Sequence, residues 1–477
     1  MTTSKDLSHL LSTEAKSRKN SPLKTLFKYF GDPNLVSLGG GLPLADYFPW
    51  EKITAVSPAP PFTDGIASKP SITGEAVHTD LTHKKDEEYD IPLNRALQYG
   101  YTSGQPEIVN FLKEHTELLH KPKYENWDLI LSVGNTQAWS SILRTFCNKG
   151  DGIFLEEYSF SSAVETASAQ GVNFFPLKMD DYGIVPEALA EQLANWDSSV
   201  PIPKLLYTIC TGQNPTGSSL SAERRKAIYD LACEYDFLII EDEPYYFLQM
   251  DEYHSGTDAT KAVAPSHEDF IKNLVPSFIS LDYEGRVFRL DSFSKVLAPG
   301  SRTGWIVGQA PLLERIIRLN ETSIQAPSGF SQSLVQGLLG RWGQSGYLDW
   351  LIALRKEYTI KRDFTMKSLE KHCSNDVISF TPPIAGMFFT IVVDGTKHPL
   401  WETEFGKDAE KVEESLFKKS LDDGCLVVPG SWFKAPNFEE KNDGKFFYRG
   451  TYASVKLEDL DIGLARFAKA VKEEFKL

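Results

Sequence analysis

The stretch Phe237-Leu-Ile-Ile-Glu-Asp-Glu-Pro-Tyr-Tyr246 decides the fold class, because an apolar run ends there abruptly in three acidic residues. A short, continuous apolar run is typical of a strand that is buried on both faces of a parallel sheet. In such sheets, ligands bind in the crevice beyond the carboxyl ends of the strands. We therefore predict a buried strand over Phe237–Glu241, followed by side chains that face a functional site.

Short apolar runs alternate with helical periodicity on both sides of this stretch. The predicted strands, each with the helix that follows it, are Asp128–Val133 with Ala138–Cys147, Gly152–Glu156 with Ala163–Gln170, and Lys204–Ile209 with Ser221–Tyr235, and Arg286–Asp291 is a further predicted strand. This alternation indicates βαβ units on a mostly parallel sheet, which is the α/β class.

The pattern changes after residue 330. Helical periodicity over Trp350–Leu369 gives way to the strand-like runs MFFTIVV and CLVVP, which predicts a smaller α+β domain. Three segments rich in Gly, Ser, Pro and charged residues are interpreted as surface loops: Thr63–Asp90, Asp251–Asp269 and Lys434–Lys445.

Composition excludes several classes of protein. The chain has 477 residues, which favours two domains, and a net charge of −15, which disfavours nucleic acid as a partner. No apolar run reaches the length of a signal peptide or a membrane span. The five cysteines are odd in number and lack CxxC spacing, so we expect neither a disulfide framework nor a metal site, and a cytoplasmic location.

A lysine between hydroxyl side chains follows the predicted strand Arg286–Asp291. In Asp291-Ser-Phe-Ser-Lys295 the amine could form a Schiff base, and the hydroxyls of Ser292 and Ser294 could bind phosphate together with Arg302. An isolated Ser-Lys pair is more often a solvated turn. The motif therefore indicates a site only in combination with others.

Asp242 and Tyr245 follow the predicted strand Phe237–Glu241. A carboxylate in this position could pair with the protonated pyridine nitrogen of a cofactor such as pyridoxal 5′-phosphate (PLP), and that charge lets the ring act as an electron sink. Tyr245 could hydrogen-bond the 3′-oxygen of the ring. By itself, the acidic cluster could equally be the start of a helix, where acids interact favourably with the helix dipole.

Two turns add further candidates. In Gly212-Gln-Asn-Pro-Thr-Gly217 the proline restricts the turn, so that Asn214 is presented in a set direction, suited to the same 3′-oxygen. In Gly134-Asn-Thr-Gln137 a predicted helix begins, and its N–H groups and dipole favour an anion beside Asn135 and Thr136. Each turn alone is ordinary.

The joint occurrence of these motifs carries the prediction. An anion-binding turn, an aromatic residue (Tyr158) after the next strand, an Asn-Pro turn, an acid at a strand end and a lysine between hydroxyls follow one another in chain order. Together they predict a PLP site.

The motifs resemble those of the fold-type-I, class I PLP aminotransferases, in particular the fungal aromatic-amino-acid aminotransferases and their mammalian kynurenine/2-aminoadipate relatives. The segments that carry the resemblance are SLGGGLPLADYFPW, IPLNRALQYG, GQNPTG, EDEPYYFLQM, DSFSKVLAPGSR, PPIAGMFF, VVPGSWF and FYRGTYA. They cover nearly the whole chain from about Ser17. The resemblance implies a large domain with a mostly parallel seven-stranded sheet flanked by helices, and a smaller α+β domain. The expected division is 1–60 as an N-terminal arm and part of the small domain, 61–335 as the large PLP-binding domain and 336–477 as the small domain.

The resemblance also implies a role for each matched residue. Lys295, Asp242 and Tyr245 would be catalytic, with Asp242 at the pyridine nitrogen. The implied cofactor contacts are Lys295, Asn135, Thr136, Tyr158 stacked on the ring, Asn214, Asp242, Tyr245, Ser292, Ser294, Arg302 and, from the neighbouring subunit, Tyr99, and the implied substrate contacts are Arg449, Asn214, Gly41 and Tyr158. Relatives often have Gly-Ser-Gln-Gln where this chain has Gly-Asn-Thr-Gln, which leaves open which side chains of that turn touch the phosphate.

The implied activity is ping-pong transamination of aromatic amino acids, and of 2-aminoadipate, with 2-oxo acids such as 2-oxoglutarate. Leu42, Tyr47 and Phe48 could form apolar walls for the substrate, and Lys24 or Arg18 could meet a distal carboxylate. The resemblance implies a homodimer whose active sites are shared across the interface.

Three alternatives stay open at this point. The enzyme could prefer kynurenine or 2-aminoadipate, or it could catalyse another PLP reaction such as β-elimination, because the cofactor contacts do not set the reaction type. A PLP-sensing transcription regulator is disfavoured, since the fold motifs begin near Ser37 and leave no room for a DNA-binding domain.

Overall fold

The computed structural model of the chain describes residues 2–19, 34, 41–62, 65–66, 76–438 and 443–477. The helices in this part of the chain are α1 Thr13–Ser17, α2 Leu93–Ala96, α3 Pro106–Leu119, α4 Asn135–Phe146, α5 Ser161–Gln170, α6 Pro186–Ala194, α7 Ala222–Tyr235, α8 His267–Asn273, α9 Phe278–Leu281, α10 Ala310–Asn320, α11 Gly329–His372 with a kink at Gly343, α12 Ala409–Asp422 and α13 Leu457–Phe475. The strands are β1 Lys52–Pro58, β2 Ala76–Thr82, β3 Trp127–Ser132, β4 Gly152–Glu156, β5 Asn173–Leu177, β6 Met179–Asp180, β7 Gly183–Ile184, β8 Leu205–Thr208, β9 Leu238–Asp242, β10 Val287–Ser292, β11 Gly304–Gln309, β12 Ile378–Ser379, β13 Phe388–Asp394, β14 Val428–Pro429 and β15 Lys445–Thr451.

Seven strands form a large sheet in the order β3-β11-β10-β9-β8-β4-β5. Strand β11 is antiparallel to both neighbours, and the other neighbouring pairs are parallel. Strands β4, β8, β9, β10 and β11 are buried along their full length, as expected for continuous apolar runs covered on both faces. The predicted α/β fold with a mostly parallel seven-stranded sheet is confirmed.

Amphipathic helices cover this sheet. Helix α4 buries Trp139, Ile142, Leu143 and Phe146 and packs against β3, β10 and β11. Spacings of three and four residues put these side chains on one helix face. The helix begins directly after β3, so its first turn lies at the carboxyl end of that strand.

A second, antiparallel sheet has the strand order β12-β13-β15-β14. Helices α12 and α13 and the last part of α11 pack around it, and a separate apolar cluster that includes Ile391, Tyr448 and Phe467 forms its core. The predicted smaller α+β unit is confirmed.

Backbone contacts join the two sheets along a seam. The amide of Met250 donates to the carbonyl of Ile384 (2.7 Å) and the amide of Gly386 to that of Leu248 (3.0 Å). Gly386 lies so close to Gly212, in the turn after β8, that a Cβ on Gly212 would be 2.5 Å from the Gly386 Cα. The seam places the small sheet beside the carboxyl ends of the large one.

Some predictions about loops were wrong. The segment Thr63–Asp90 contains β2, which pairs antiparallel with β1. Its Thr, His and Asp residues resemble a loop in composition, but the partly buried hairpin packs on α11. In CLVVP, only Val428–Pro429 is a strand.

The N-terminal residues lie with the large sheet. Leu7, Leu10, Leu11 and Ala15 belong to its apolar core, and α1 packs on α4 and α10. The division at residues 60 and 335 stays a prediction. Among the described helices, none combines the length and the apolar character needed to cross a membrane.

Candidate active site

The carboxyl ends of three adjacent parallel strands converge on one cavity. Strands β8, β9 and β10 lie side by side, and the chain leaves them through the segments that contain Asn214, Asp242 and Lys295. The cavity has a volume of about 240 Å³ and is lined by Asn135, Thr136, Trp139, Phe160, Ala163, Tyr207, Ile209, Asn214, Asp242, Pro244, Tyr245, Ser292, Ser294, Lys295, Pro299, Arg302 and Phe388. Nine of the residues named from the sequence therefore lie together.

One end of the cavity is rich in hydrogen-bond donors. Arg302 donates to the carbonyl of Val133 (2.8 Å) and to the Ser294 hydroxyl (3.3 Å), and Ser292 donates to Ser294 (2.8 Å). Gly134 has a φ of 88° and precedes α4, and a Cβ there would collide with the Arg302 guanidinium. A guanidinium, hydroxyls and a helix start at one place suit a phosphate group.

A buried carboxylate lies elsewhere on the cavity wall. Asp242 accepts hydrogen bonds from the Tyr207 hydroxyl and from the Asn135 side-chain amide, both at 2.6 Å. Burial raises the pKa of Asp242 to about 6, although these two hydrogen bonds act in the opposite direction. The carboxylate can therefore offer a negative charge, or a proton acceptor, to a group inside the cavity.

Lys295 and Tyr245 face the same space. Burial, and after it the nearby Arg302 guanidinium, lowers the pKa of Lys295 from its ordinary value. A lowered pKa increases the fraction of neutral amine at a given pH, which is the form that acts as a nucleophile or a base. Burial raises the pKa of Tyr245, so this side chain keeps its hydroxyl proton and can donate it in a hydrogen bond.

Arg449 lies beside the cavity, on β15 of the small sheet. It donates to the Asn214 side-chain oxygen (2.7 Å). Its guanidinium carbon lies 4.5 Å from the ring centre of Phe388 and 4.7 Å from that of Phe433. Two aromatic rings thus fix the orientation of a cation next to the cavity.

The prediction that Tyr158 stacks on a ring in this cavity is not supported by its position. Tyr158 packs edge-on against Phe438 and Phe447 and lines a separate cavity between the two sheets. Phe160, two residues later, lines the cavity described above. The amide of Ser159, between the two aromatic residues, donates to the Phe433 carbonyl (2.9 Å), so contacts with the segment around Phe433 hold this part of the chain in place.

Asn135 also differs from its predicted role. Its side-chain amide donates to Asp242 and to the carbonyl of Leu290 (3.0 Å) rather than to the phosphate end of the cavity. The Asn135 side chain therefore supports a carboxylate in this structure, and its contact with the phosphate stays a prediction.

Three other named residues, Tyr99, Gly41 and Arg18, do not line this cavity. Tyr99 is 57% exposed and lines a different cavity, formed with residues 325–330. Gly41 is exposed and has nothing within 4 Å of its Cβ position. Arg18 is bonded to Glu14 and Thr322, and Lys24 lies outside the described residues.

Several residues of the site were missed. Trp139, Tyr207 and Phe388 lie inside a helix or a strand, where an aromatic residue is usually a core residue and carries no local signal of function. Phe160 immediately precedes a helix and lies two residues after Tyr158. The sequence therefore offered it as a second aromatic candidate for the same role.

The donor set fits pyridoxal phosphate. The cavity combines a primary amine with a lowered pKa, a phosphate-binding end and a buried carboxylate suited to a pyridine nitrogen. A metal ion is not needed to explain the nearby acids. Of the described residues, Cys210, Glu241 and Glu243 are close enough to hold one, but Arg225 already pairs with both carboxylates.

Comparison with known proteins identifies the family. The model of the aminotransferases of class I and II matches residues 75–467. The chain is 40% identical to an aromatic amino acid aminotransferase of Schizosaccharomyces pombe over 477 residues, 99% of each chain. It is 34% identical to the mitochondrial kynurenine/alpha-aminoadipate aminotransferase of Bos taurus, over 80% of this chain and 84% of the other.

A solved structure has the same fold over the whole length. The aminotransferase Aro8 of Candida albicans is 56% identical and superimposes with a TM-score of 0.95, covering 100% of both chains. The chain therefore belongs to the class I and II aminotransferases, and the predictions of a fold-type-I aminotransferase and of pyridoxal phosphate as its cofactor are confirmed.

Proposed function

We propose that the chain transfers the amino group of aromatic amino acids to 2-oxo acids such as 2-oxoglutarate, and that Lys295 carries the cofactor. The observation that carries the proposal is the meeting of Lys295, Asp242, Arg302 and Asn214 around one cavity, with Arg449 bonded to Asn214 at its edge. The names of the relatives in fission yeast and Candida support the aminotransferase reaction, and the name of the fission yeast relative supports the aromatic substrate class.

Each residue has a proposed task toward the cofactor. Arg302, Ser292, Ser294 and the start of α4 would hold the phosphate, and Asp242 would pair with the ring nitrogen. Asn214 and Tyr245 would bind the 3′-oxygen, and Phe160 replaces Tyr158 as the aromatic residue proposed against the ring. When bound, pyridoxal phosphate supplies an electron sink for the bonds at the substrate Cα.

Lys295 is proposed to act twice. Its amine holds the cofactor between turnovers, and once an amino acid has displaced it, the free amine takes the proton from the substrate Cα and delivers it again during transamination. A lysine with a lowered pKa suits this second task, because a larger fraction of it is neutral near neutral pH.

Arg449 is proposed to bind the α-carboxylate of both substrates. A planar guanidinium offers two parallel N–H groups to a carboxylate. The guanidinium also contacts the rings of Phe388 and Phe433, which would favour its orientation toward the cavity. The same rings give the edge of the cavity an apolar character that suits an aromatic substrate.

A second candidate function is preference for 2-aminoadipate or kynurenine, and the name of the bovine relative favours it. The distal carboxylate of 2-aminoadipate would need a cation. Arg18, the cation proposed for this carboxylate within the described residues, already bonds to Glu14 and Thr322. The described residues therefore support the aromatic candidate better than this one.

We propose further that the active unit is a cytoplasmic homodimer. Large apolar side chains are exposed together in one region: Leu42, Leu44, Tyr47, Trp50, Tyr99 and Tyr101. Contacts between Gln98 and Pro43 and between Trp50 and Phe330 bring their segments together. Exposed apolar patches of this kind are typical of subunit interfaces, and this one includes Tyr99, the residue proposed to reach the neighbouring site.

The decisive experiment is an initial-rate panel. Phenylalanine, tyrosine, tryptophan, kynurenine and 2-aminoadipate are each tested with 2-oxoglutarate, and both the keto acid and glutamate are quantified. The proposal expects the highest kcat/KM for the aromatic amino acids. Formation of pyruvate or ammonia in place of the matching keto acid would contradict transamination, and a clear preference for 2-aminoadipate would favour the second candidate.

A further inference from the structure

Asp242 is held by two donors that come from two different elements. The Tyr207 hydroxyl on β8 donates to one carboxylate oxygen, and the Asn135 amide at the start of α4 donates to the other. Because each oxygen receives one hydrogen bond, rotation of the carboxylate about its Cβ–Cγ bond would break both. Each oxygen still has lone-pair capacity toward the cavity.

We propose that Tyr207, assisted by Asn135, is a positioning residue that holds the Asp242 carboxylate in place, and in its charged form, for the ring nitrogen of the cofactor. This inference rests on the proposed role of Asp242 in the same site. It assigns a task to a tyrosine that lies in the middle of a buried strand.

The position of Tyr207 is itself well determined. The residue is 1% exposed, and its strand pairs in parallel with β9, the strand that ends at Asp242. Its ring centre lies 4.6 Å from that of Trp139. Packing therefore fixes the ring, so the hydroxyl can donate to the carboxylate without a further loss of side-chain conformational entropy.

Asn135 is anchored in the same way. Its amide nitrogen donates to Asp242 and also to the carbonyl of Leu290 on β10. The side chain thus bridges two neighbouring strands. A residue fixed at two points restrains the carboxylate more strongly than one that contacts the carboxylate alone.

The charged and titratable groups around Asp242 explain why it needs this support. Burial opposes its charge, and Asp291 on β10 adds a like charge, whereas the Tyr207 and Asn135 hydrogen bonds favour the anion. Lys295 and Tyr245 share the cavity with it. Loss of the Tyr207 hydroxyl should therefore raise the pKa of Asp242 and favour a proton on the carboxylate over one on the ring nitrogen.

The test is Tyr207→Phe, which keeps the packed ring and removes only the hydroxyl. The matched control is Tyr229→Phe. Tyr229 is also buried, and its hydroxyl donates to a buried carboxylate, Asp282 (2.9 Å), but it lies outside the cavity. Both variants lose a hydroxyl that donates to a buried carboxylate. Tyr229→Phe also removes the acceptor of the Tyr283 and Glu284 amides, so a general loss of stability should be at least as large in the control.

The readout is the ¹⁵N NMR signal of the ring nitrogen in enzyme loaded with ¹⁵N-labelled pyridoxal phosphate, with cofactor affinity measured by absorbance titration. We expect a protonated ring nitrogen in the wild-type chain and in Tyr229→Phe. In Tyr207→Phe the signal should move toward that of a neutral pyridine, and kcat should fall about tenfold, in line with the loss of a hydrogen bond to a charged group.

Separate outcomes distinguish the inference from the function on which it rests. An unchanged ¹⁵N signal in Tyr207→Phe would overturn the inference while the proposed function stands. Failure of the wild-type chain to bind the cofactor at Lys295 would overturn both. If Tyr207→Phe does not fold, Asn135→Ala removes the other donor, and it must move the signal in the same direction for the inference to hold.

Discussion

Replacement of Arg449 by lysine tests the carboxylate-binding proposal most sharply, because the change keeps the positive charge. Lysine loses the planar pair of N–H groups and the donation to Asn214, which spans 2.7 Å in the structure. It also loses the contacts of the planar guanidinium with the rings of Phe388 and Phe433. A surface arginine would tolerate this substitution, whereas a carboxylate-binding arginine would not.

The magnitude follows from the contacts. A hydrogen bond to a charged group contributes about 1.5–3 kcal/mol, which corresponds to roughly 10- to 150-fold in kcat/KM. We therefore expect Arg449→Lys to lower kcat/KM for phenylalanine at least about tenfold. The lysine cannot replace both N–H groups, so the loss should appear with the amino acid and with 2-oxoglutarate alike.

The assay is initial-rate transamination with each substrate varied in turn. Arg466→Lys is the control, since this exposed arginine on α13 donates to the Gly424 carbonyl and has no proposed part in the site. A loss below about twofold in Arg449→Lys, or an equal loss in both variants, would refute the reasoning.

Three further predictions concern the cofactor and the subunit interface. Lys295→Ala should lose turnover and the visible absorbance of the lysine-linked cofactor. Borohydride should attach the cofactor covalently to the wild-type chain but not to this variant. Full activity of Lys295→Ala would contradict the assignment. Phe160→Leu should weaken cofactor binding in absorbance titrations, because Phe160 lines the cavity, while Tyr158→Leu, which removes the ring of Tyr158, should change it little. The reverse order would restore the original prediction. The wild-type chain should sediment as a dimer at assay concentration, and a fully active monomer would exclude the shared site. Tyr99→Phe should weaken cofactor affinity if the Tyr99 hydroxyl reaches the phosphate in the neighbouring subunit.

The sequence predicted those parts of the site that lie at strand ends. An apolar run followed by acids marks both the strand and the exit from it, so Asp242 and Lys295 could be placed without a structure. Their convergence follows from the parallel order of β8, β9 and β10. Local sequence patterns and the geometry of parallel sheets are enough to predict that these two residues lie near each other.

Residues that act from within an element could not be found in this way. Tyr207 lies in a buried strand, and no feature of the neighbouring sequence distinguishes it from a tyrosine that only fills the core. The places of Tyr158 and Phe160 involve contacts between residues far apart in the chain, such as the hydrogen bond from the Ser159 amide to the Phe433 carbonyl and the packing of Tyr158 on Phe447. The hairpin strand β2 was missed because its outward face is polar, which makes its composition resemble a loop.

The seam between the two sheets limits how the enzyme can close over a substrate. Sliding of the small sheet would break the hydrogen bonds at Met250 and Gly386 and would force the backbones of Gly212 and Gly386 past each other. Rocking about the seam preserves these contacts. A group near such a pivot moves little. In such a motion Arg449, bonded to Asn214 two residues from Gly212, would keep its position, and the largest displacement would fall on the parts of the small sheet and its helices farthest from the seam.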